Sequence, residues 1–158
     1  MNKKLALIFF LLPLFYGFAS SKSEGNLRQT YNFNSGWTLQ IGDISNAQQV
    51  SFNDDSWKPV TLPHAFNEDE AFRVHIEELT DTVVWYRKHF RLPATDKNKK
   101  VFIEFEGARF AAEVYLNGEK VGLHENGVMA FGFDISDKIK FDADNVIAVR
   151  VDNDWNYH

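Results

Sequence analysis

Two glutamates come nearest, among the 158 residues of this chain, to an arrangement that could do chemistry. Glu104 and Glu106 lie two positions apart in an alternating segment, so on a β-strand their side chains share a face with Cα atoms about 6.6 Å apart. Paired carboxylates at such a separation are what glycoside hydrolysis uses. The same alternation is ordinary on the solvent face of an antiparallel strand, and we favour that interpretation.

Metal binding and nucleophilic catalysis have little support elsewhere in the sequence. Glu68, Asp69 and Glu70 could hold Ca²⁺ through their carboxylates, but the regular Asp spacing and glycine of a dedicated calcium loop are absent, which favours a solvated turn. The five His include no pair four positions apart, no Ser lies in a Gly-x-Ser-x-Gly elbow, and there is no Cys. We therefore predict no metal, no cofactor and no catalytic residue in this chain.

Aromatic residues beside predicted loops suggest sugar binding. A flat ring can cover the apolar face of a sugar while neighbouring Asn and Asp bond its hydroxyl groups. Trp155 and Tyr157 are difficult to assign to a core because Asp and Asn surround them at positions 152–156. Trp85 fits a sugar site and a packed sandwich interior equally well.

The residues that position these side chains form a run of short apolar segments between positions 102 and 151. Gly, Asn and Asp separate the segments at intervals of about a dozen residues, which is typical of a β-sandwich. Asn117 and Gly118 stand between two alternating segments, and a two-residue hairpin turn requires the positive φ that both residues tolerate. The pattern predicts an all-β, antiparallel β-sandwich with a hairpin at this point.

Earlier segments extend the predicted sheet. We expect strands at residues 31–33 and 37–41, and a short edge segment at 59–63, where two prolines remove ladder donors. The alternation over 84–92 places mixed residues on both faces, which predicts a partly covered strand. The stretch between positions 64 and 83 has no period, and loops of that length are often functional, so we expect a contact surface there.

Composition limits the domain count and the partners. A chain of this length can close one core, so we predict a single folded domain. The net charge of −5 argues against a nucleic-acid partner, which would require a clustered basic face. No basic amphipathic helix is present to hold a membrane surface. Without Cys, no disulfide is available to support the core.

The N-terminal residues have the composition of an export signal. Lys3 and Lys4 precede an almost wholly apolar stretch. Gly17 and Ala19 are small residues at the two positions that a signal peptidase inspects. The apolar stretch is too short to span a bilayer comfortably, although a retained anchor remains the alternative. We predict a signal peptide at 1–19, a disordered lead-in at 20–27 and a sandwich domain at 28–158, exported to the periplasm or the medium.

Seven ordered motifs resemble the N-terminal domain of glycoside hydrolase family 2, which includes β-galactosidases, β-glucuronidases and β-mannosidases. The resemblance extends from about Phe33 to Asn153, nearly all of the predicted mature chain. The motifs occupy residues 57–64, 85–90, 105–108, 114–118, 121–124, 131–135 and 145–153.

The resemblance implies a jelly roll of the galactose-binding type, followed in full-length members by an immunoglobulin-like sandwich and a TIM barrel. It implies that the catalytic glutamates belong to the barrel, so this chain by itself is predicted to be inactive. It also implies that loops of this domain border the sugar pocket, which makes carbohydrate and the two further domains the expected partners. The corresponding stretches are 66–70 and 152–155. The candidate substrate-binding residues are Asn67, Glu68, Asp69, Asp152, Asn153, Asp154 and Trp155.

Two other functions remain open at this point: a stand-alone carbohydrate-binding module without hydrolysis, and a structural domain that touches no sugar. Because the last residues follow a predicted strand with a loop-like composition, we expect the sandwich to be C-terminally incomplete. An incomplete sandwich would leave a sheet edge unpaired. We therefore expect the chain expressed alone to be marginally stable or prone to aggregation.

Overall fold

The computed structural model describes residues 28–75, 78–79, 81–127 and 129–153. The predicted signal peptide and lead-in, residues 1–19 and 20–27, lie outside the described residues. The chain divides into a unit that ends at Tyr31 and a unit that begins at Asn32, and every described strand belongs to the second unit. In the part of the chain that is described, no helix has the length and apolar composition needed to cross a bilayer.

In the described part of the chain, eight strands form two antiparallel sheets, which confirms the predicted fold class. The larger sheet has the order β2-β1-β3-β8-β5-β6, and the smaller sheet pairs β4 with β7. The described residues contain a 3₁₀ turn at Ala94–Asp96 and no α-helix. The strands are β1 (Trp37–Ile41), β2 (Lys58–Val60), β3 (Val83–Phe90), β4 (Phe102–Phe105), β5 (Ala112–Leu116), β6 (Glu119–His124), β7 (Phe131–Asp134) and β8 (Asn145–Asp152).

The main core lies between the two sheets. On the inner face of the large sheet, Leu116 and Ile147 are fully buried, and they belong to one cluster with Ile103 of β4 and Phe133 of β7. The sheets approach closely at Gly122, where an added Cβ would lie 2.2 Å from a Phe133 ring carbon. Period-two alternation explains this core, because every second residue of each strand points to the same side.

The outer face of the large sheet is covered by residues 43–57, which we term the covering segment. Ala47 and Trp57 of this segment are buried in a second cluster with Trp85 and Ala148. The strand β3 is partly covered, as its alternation predicted: Val84, Trp85 and Arg87 are buried, whereas His89 near its end is exposed. Trp85 is 3% exposed, so it is a core residue and offers no ring to a ligand.

The predicted loop between β2 and β3, residues 65–82, is termed the acidic loop. Its residues 66–73 form a series of turns: the Glu68 N–H donates to the Ala65 carbonyl at 3.3 Å, and the Val74 N–H donates to the Glu70 carbonyl at 3.0 Å. Just before it, Leu62 packs against the inner core. The acidic loop therefore leaves from the inner side of the sheet.

Local turn chemistry was predicted correctly at the hairpin and wrongly at the start of the sandwich. Asn117 and Gly118 join β5 to β6 with φ of 54° and 89°, as their sequence predicts. Residues 31–33 form no strand. Phe33 instead packs edge-on against Trp37 and Phe90, with ring centroids 5.8 and 4.9 Å away, so its apolar character reflects packing rather than sheet pairing.

Candidate functional site

The end of the acidic loop and the start of the C-terminal tail meet at one end of the large sheet, which we term the rim. The Asn153 N–H donates to the Thr82 carbonyl at 3.2 Å, and the Asp152 N–H donates to the Ala111 carbonyl at 2.8 Å. Asp152 is also the register partner of Val83. The structure thus joins the end of the acidic loop to the start of the tail through their backbones.

The beginning of the acidic loop is attached to the sheet by His64 and Tyr86. The His64 Nδ1 and the Tyr86 hydroxyl lie 3.2 Å apart. Burial raises the pKa of Tyr86 to about 12, so the hydroxyl stays protonated and can donate. Burial, with a contribution from Lys58, lowers the pKa of His64, which favours the neutral ring that accepts this bond.

Beyond this attachment, the predicted residues Asn67, Glu68 and Asp69 form an outward turn. The Glu70 N–H donates to the Asn67 carbonyl at 3.1 Å. Glu68 and Asp69 are exposed, whereas Asn67 is half-buried. Side-chain carboxylates at such a turn are accessible to the hydroxyl groups of a ligand.

The other predicted residues divide at Asn153. Asp152 is half-buried, and Asn153 is buried at 5% exposure, so the start of the tail is fixed to the sheet. Asp154 and Trp155 lie outside the described residues. Their assignment to a sugar site stays a prediction, as does that of the five described candidates.

Arg150 holds Asp152 in place. Its Nη1 donates to Asp152 Oδ2 at 3.2 Å, while Nε and Nη2 donate to the two carboxylate oxygens of Asp43 at 3.0 and 2.9 Å. The hydrogen bond from Arg150 lowers the pKa of Asp43, against the effect of burial, and the same pairing raises the pKa of Arg150. Bidentate pairing of this kind fixes orientation as well as charge, so the covering segment and the start of the tail are held by one guanidinium.

A second candidate site lies on the outer face, where sequence reasoning predicted none. It is an open depression of about 590 Å³. Its lining comes from β1, the end of the covering segment, β2 and β3. The lining residues are Thr38, Phe52, Asn53, Asp54, Asp55, Trp57, Pro59 and His89. The only local signal was the Asn-Asp-Asp turn, because the remaining residues are distant in sequence.

Asp54 organises the polar side of the depression. Its Oδ1 accepts from His89 Nε2 at 3.0 Å, and its Oδ2 accepts from Thr38 Oγ1 at 3.1 Å. Oδ2 also forms an ion pair with Nε of the fully buried Arg87 at 3.3 Å. Burial alone would raise the pKa of Asp54, but the bond from His89 and the charge of Arg87 lower it below the ordinary value. Asp54 is therefore a carboxylate at neutral pH.

Glu104 is exposed on β4, as expected for the solvent side of that strand, whereas Glu106 is exposed but lies beyond the strand's end at Phe105. Glu104 is the register partner of Gly132, on the small sheet. No group of three or more His, Asp or Glu in the described ranges is arranged to hold a metal ion. The polar side chains described above form hydrogen bonds and ion pairs.

An antiparallel sandwich of two unequal sheets with polar loops at its rim is the architecture of a galactose-binding-like domain. The family described as glycosyl hydrolase 2 galactose-binding domain-like matches residues 37–158. The chain belongs to this family, the N-terminal domain type of glycoside hydrolase family 2.

The relatives and solved structures agree with this assignment. A β-glucuronidase from Formosa agariphila is 43% identical over 138 residues, covering 83% of this chain and 14% of that protein. A β-galactosidase from Thermoanaerobacter pseudethanolicus is 42% identical over 127 residues, covering 80% and 17%. The structure of a family 2 β-glucuronidase is similar with a TM-score of 0.76 at 41% identity, covering 81% of this chain and 14% of that one. The chain thus spans less than a fifth of the length of these proteins.

Proposed function

We propose that this domain serves in carbohydrate degradation as the non-catalytic N-terminal part of a β-galactosidase-like family 2 glycoside hydrolase. The relatives described above are a β-glucuronidase and a β-galactosidase, which makes a β-linked galactoside or glucuronide the expected substrate class. The observation that carries the proposal is the hydrogen bond between Thr82 and Asn153, because it joins the acidic loop to the tail. The end of this loop and the start of the tail then lie at the same end of the sheet.

Hydrolysis itself is assigned to a catalytic domain. Glycoside hydrolysis requires a pair of carboxyl groups on either side of the scissile bond, whereas Glu104 on β4 and Glu106 just after it are both exposed. We propose an immunoglobulin-like sandwich and a TIM barrel as the domains that work with this one. The contribution of the rim is positional: carboxylates such as Asp69 and Asp152 accept hydrogen bonds from sugar hydroxyls and orient the ring.

Titration of the ¹⁵N-labelled chain with methyl β-galactoside and methyl β-glucuronide tests the proposal. We expect the backbone amide signals of Asn67, Asp69, Thr82 and Asn153 to shift at millimolar sugar. Asp69→Ala should weaken this response. Glu106→Ala removes an exposed carboxylate just after β4 and should leave the response intact. Rim signals that do not move with either sugar would favour the purely structural role.

An enzymatic measurement complements the titration. The chain alone should release no nitrophenol from nitrophenyl β-galactoside or β-glucuronide above the uncatalysed rate. Turnover that disappears in Glu104→Gln would contradict the assignment of catalysis to another domain. Absence of turnover together with rim binding supports the proposal.

The alternative is a carbohydrate-binding module that acts without a hydrolase, and the depression on the outer face favours it. That surface lies on the opposite side of the large sheet from the start of the acidic loop. A sugar bound there would need no groups from a second domain. The residues that respond in the titration therefore separate the two functions.

Export is part of the proposal. Its support is the sequence Lys3, Lys4 and the apolar run that follows. Expression in a bacterial host with an intact secretion system should yield a periplasmic or extracellular product whose mass corresponds to cleavage after Ala19. A product that retains Met1 in the membrane fraction would instead support an uncleaved anchor.

A further inference from the structure

We propose that the depression on the outer face is a carbohydrate site that takes a neutral sugar residue and discriminates against a uronic acid. The proposal stands on the lining of this depression and does not depend on the rim. It concerns a different surface, since Thr38, Asp54 and His89 belong to the outer face, whereas Leu62 and Tyr86, next to the acidic loop, pack on the inner one.

The floor of the depression is a fixed, charge-compensated pair. Arg87 is 0% exposed, and its guanidinium carbon lies 5.4 Å from the Phe52 ring centroid and 5.9 Å from that of Trp57. The same guanidinium donates to the carbonyls of Ala47 and Gln49 and forms the ion pair with Asp54. Because two carbonyls, one carboxylate and two rings hold this charge in place, the floor is rigid before any ligand arrives.

Hydrogen-bonding groups of both kinds surround this floor. The Asn53 Oδ1 accepts from the Asp55 N–H at 2.8 Å, and its NH₂ group has no acceptor among the described residues. The His89 side chain is 53% exposed, and its Nε2 bonds to Asp54, so Nδ1 takes no part in that bond. Sugar hydroxyls donate and accept, and therefore match a surface that offers Asn53 as a donor, Asp55 as an acceptor and the second ring nitrogen of His89.

Size and apolar lining agree with a sugar. The volume of about 590 Å³ falls within the range of about 300–1,000 Å³ typical of small-molecule sites. Phe52 is half-buried and Pro59 exposed, so both present carbon surface to the depression. Such surface packs on the C–H groups of a pyranose ring while the polar groups fix its orientation.

Charge sets the expected specificity. Asp54 is offset by Arg87 beneath it, which leaves the exposed Asp55 as the uncompensated charge at the mouth. None of the residues described as lining the depression is Lys or Arg. Lys58 on β2 is the register partner of Leu39, so its side chain lies on the face of the sheet opposite the depression. A uronic carboxylate entering here would approach Asp55, and no Lys or Arg lines the depression to pair with it, which disfavours it relative to a neutral ring.

The test is an NMR titration of the 158-residue chain in which the amide signals of Asn53, Asp55 and His89 report on this surface. Methyl β-galactoside and methyl β-glucoside are the neutral probes, and methyl β-glucuronide is the charged one. We expect the neutral probes to shift these signals at millimolar concentration, with the glucuronide about tenfold weaker, equivalent to about 1.4 kcal/mol. Signals that do not move with any probe, or that move equally with the glucuronide, would overturn the proposal.

Reversal of the mouth charge gives a sharper result. Asp55→Arg keeps the backbone N–H that bonds to Asn53, so the turn is retained while the local charge changes from negative to positive. The preference for neutral probes should disappear or invert. Glu106→Arg is the matched control, since it makes the same charge change at an exposed position that is distant from Asp55 in the sequence. Equal effects of the two variants would show a general charge effect and refute a specific site.

The same spectra separate this proposal from the proposed function. Shifts at Asn53 and His89 without shifts at Thr82 and Asn153 support the outer-face site and contradict the rim. The reverse pattern contradicts the outer-face site alone. His89→Ala provides an independent check, because it removes an exposed hydrogen-bonding side chain and should weaken binding of the neutral probes severalfold. Unchanged binding in His89→Ala would exclude the geometry proposed here.

Discussion

The inner face of the large sheet is held by apolar packing, whereas the outer face is held by a buried arginine and the groups around it. On the inner side, Leu116 and Ile147 are fully buried against side chains of the small sheet. On the outer side, the equally buried Arg87 donates to carbonyls of the covering segment and pairs with Asp54. One sheet thus supports a two-sheet core and a polar surface of fixed geometry.

The two faces should therefore differ in how they contribute to stability. Apolar burial contributes stability roughly in proportion to area and tolerates small shifts. A buried ion pair contributes little net stability compared with apolar residues of similar volume, but loss of one partner leaves the other charge uncompensated. The inner face should therefore set global stability, while the outer face fixes the position of the covering segment and of the depression.

The largest effect is expected from the inner face. Ile147→Ala removes a side chain of 0% exposure from the main cluster and should lower the free energy of unfolding by about 4 kcal/mol through lost burial and a residual cavity. Urea denaturation followed by tryptophan fluorescence measures the change. Ile41→Ala is the control, because Ile41 is 50% exposed and its truncation should cost far less. Similar costs at both positions would contradict the inner core as described.

The outer face should show a somewhat smaller effect with a distinctive coupling. Asp54→Ala leaves the guanidinium of Arg87 without its carboxylate and should cost about 3 kcal/mol. Arg87→Met combined with Asp54→Ala should cost less than the sum of the single changes, because the apolar replacement removes the uncompensated charge. A double-mutant cycle by urea denaturation measures this coupling. Strict additivity would mean that the pair does not act as a unit.

The inner face was largely predictable from sequence and the outer face was not. Alternation in the segments around Ile103 and Val149 is enough to place those side chains in a core, and Asn117 with Gly118 specifies the hairpin through local φ preferences. Burial of Arg87 depends on acceptors 35–40 positions away in sequence, where no local period can indicate them. Burial of a charged residue in this alternating strand therefore has no local sequence signature.

The candidate sites follow the same division. The stretches around Asn67 and Asp152 were selected because family resemblance marks them, and the structure joins the end of the acidic loop, at Thr82, to Asn153 by a backbone hydrogen bond. The depression escaped detection because β1, β2, β3 and the covering segment each contribute only a few groups. Physical proximity of this kind arises from sheet order, which depends on long-range pairing.

Acid should weaken the outer face selectively. The pKa of Asp54 is lowered in the folded state, the opposing effect of burial being outweighed by His89 and Arg87. A lowered folded pKa contributes stability above the unfolded value, near 3.9, that is lost as the pH falls through the folded pKa. The wild-type chain should therefore lose more unfolding free energy between neutral pH and pH values below about 4 than Asp54→Ala does. Parallel pH profiles for the two proteins would contradict this role of Asp54.

The smallest effect is expected where an ion pair lies in solvent. Arg91 Nε and Asp144 Oδ1 lie 2.6 Å apart, but the two side chains are 65% and 71% exposed. Because water and salt screen such pairs, Arg91→Ala should leave the urea midpoint unchanged within error. Arg91→Ala and Arg87→Ala then compare the loss of an exposed arginine with the loss of a buried arginine four positions away. Only the buried arginine should matter, and a large loss at Arg91 would show that charge pairing itself, rather than burial of the charge, distinguishes the outer face.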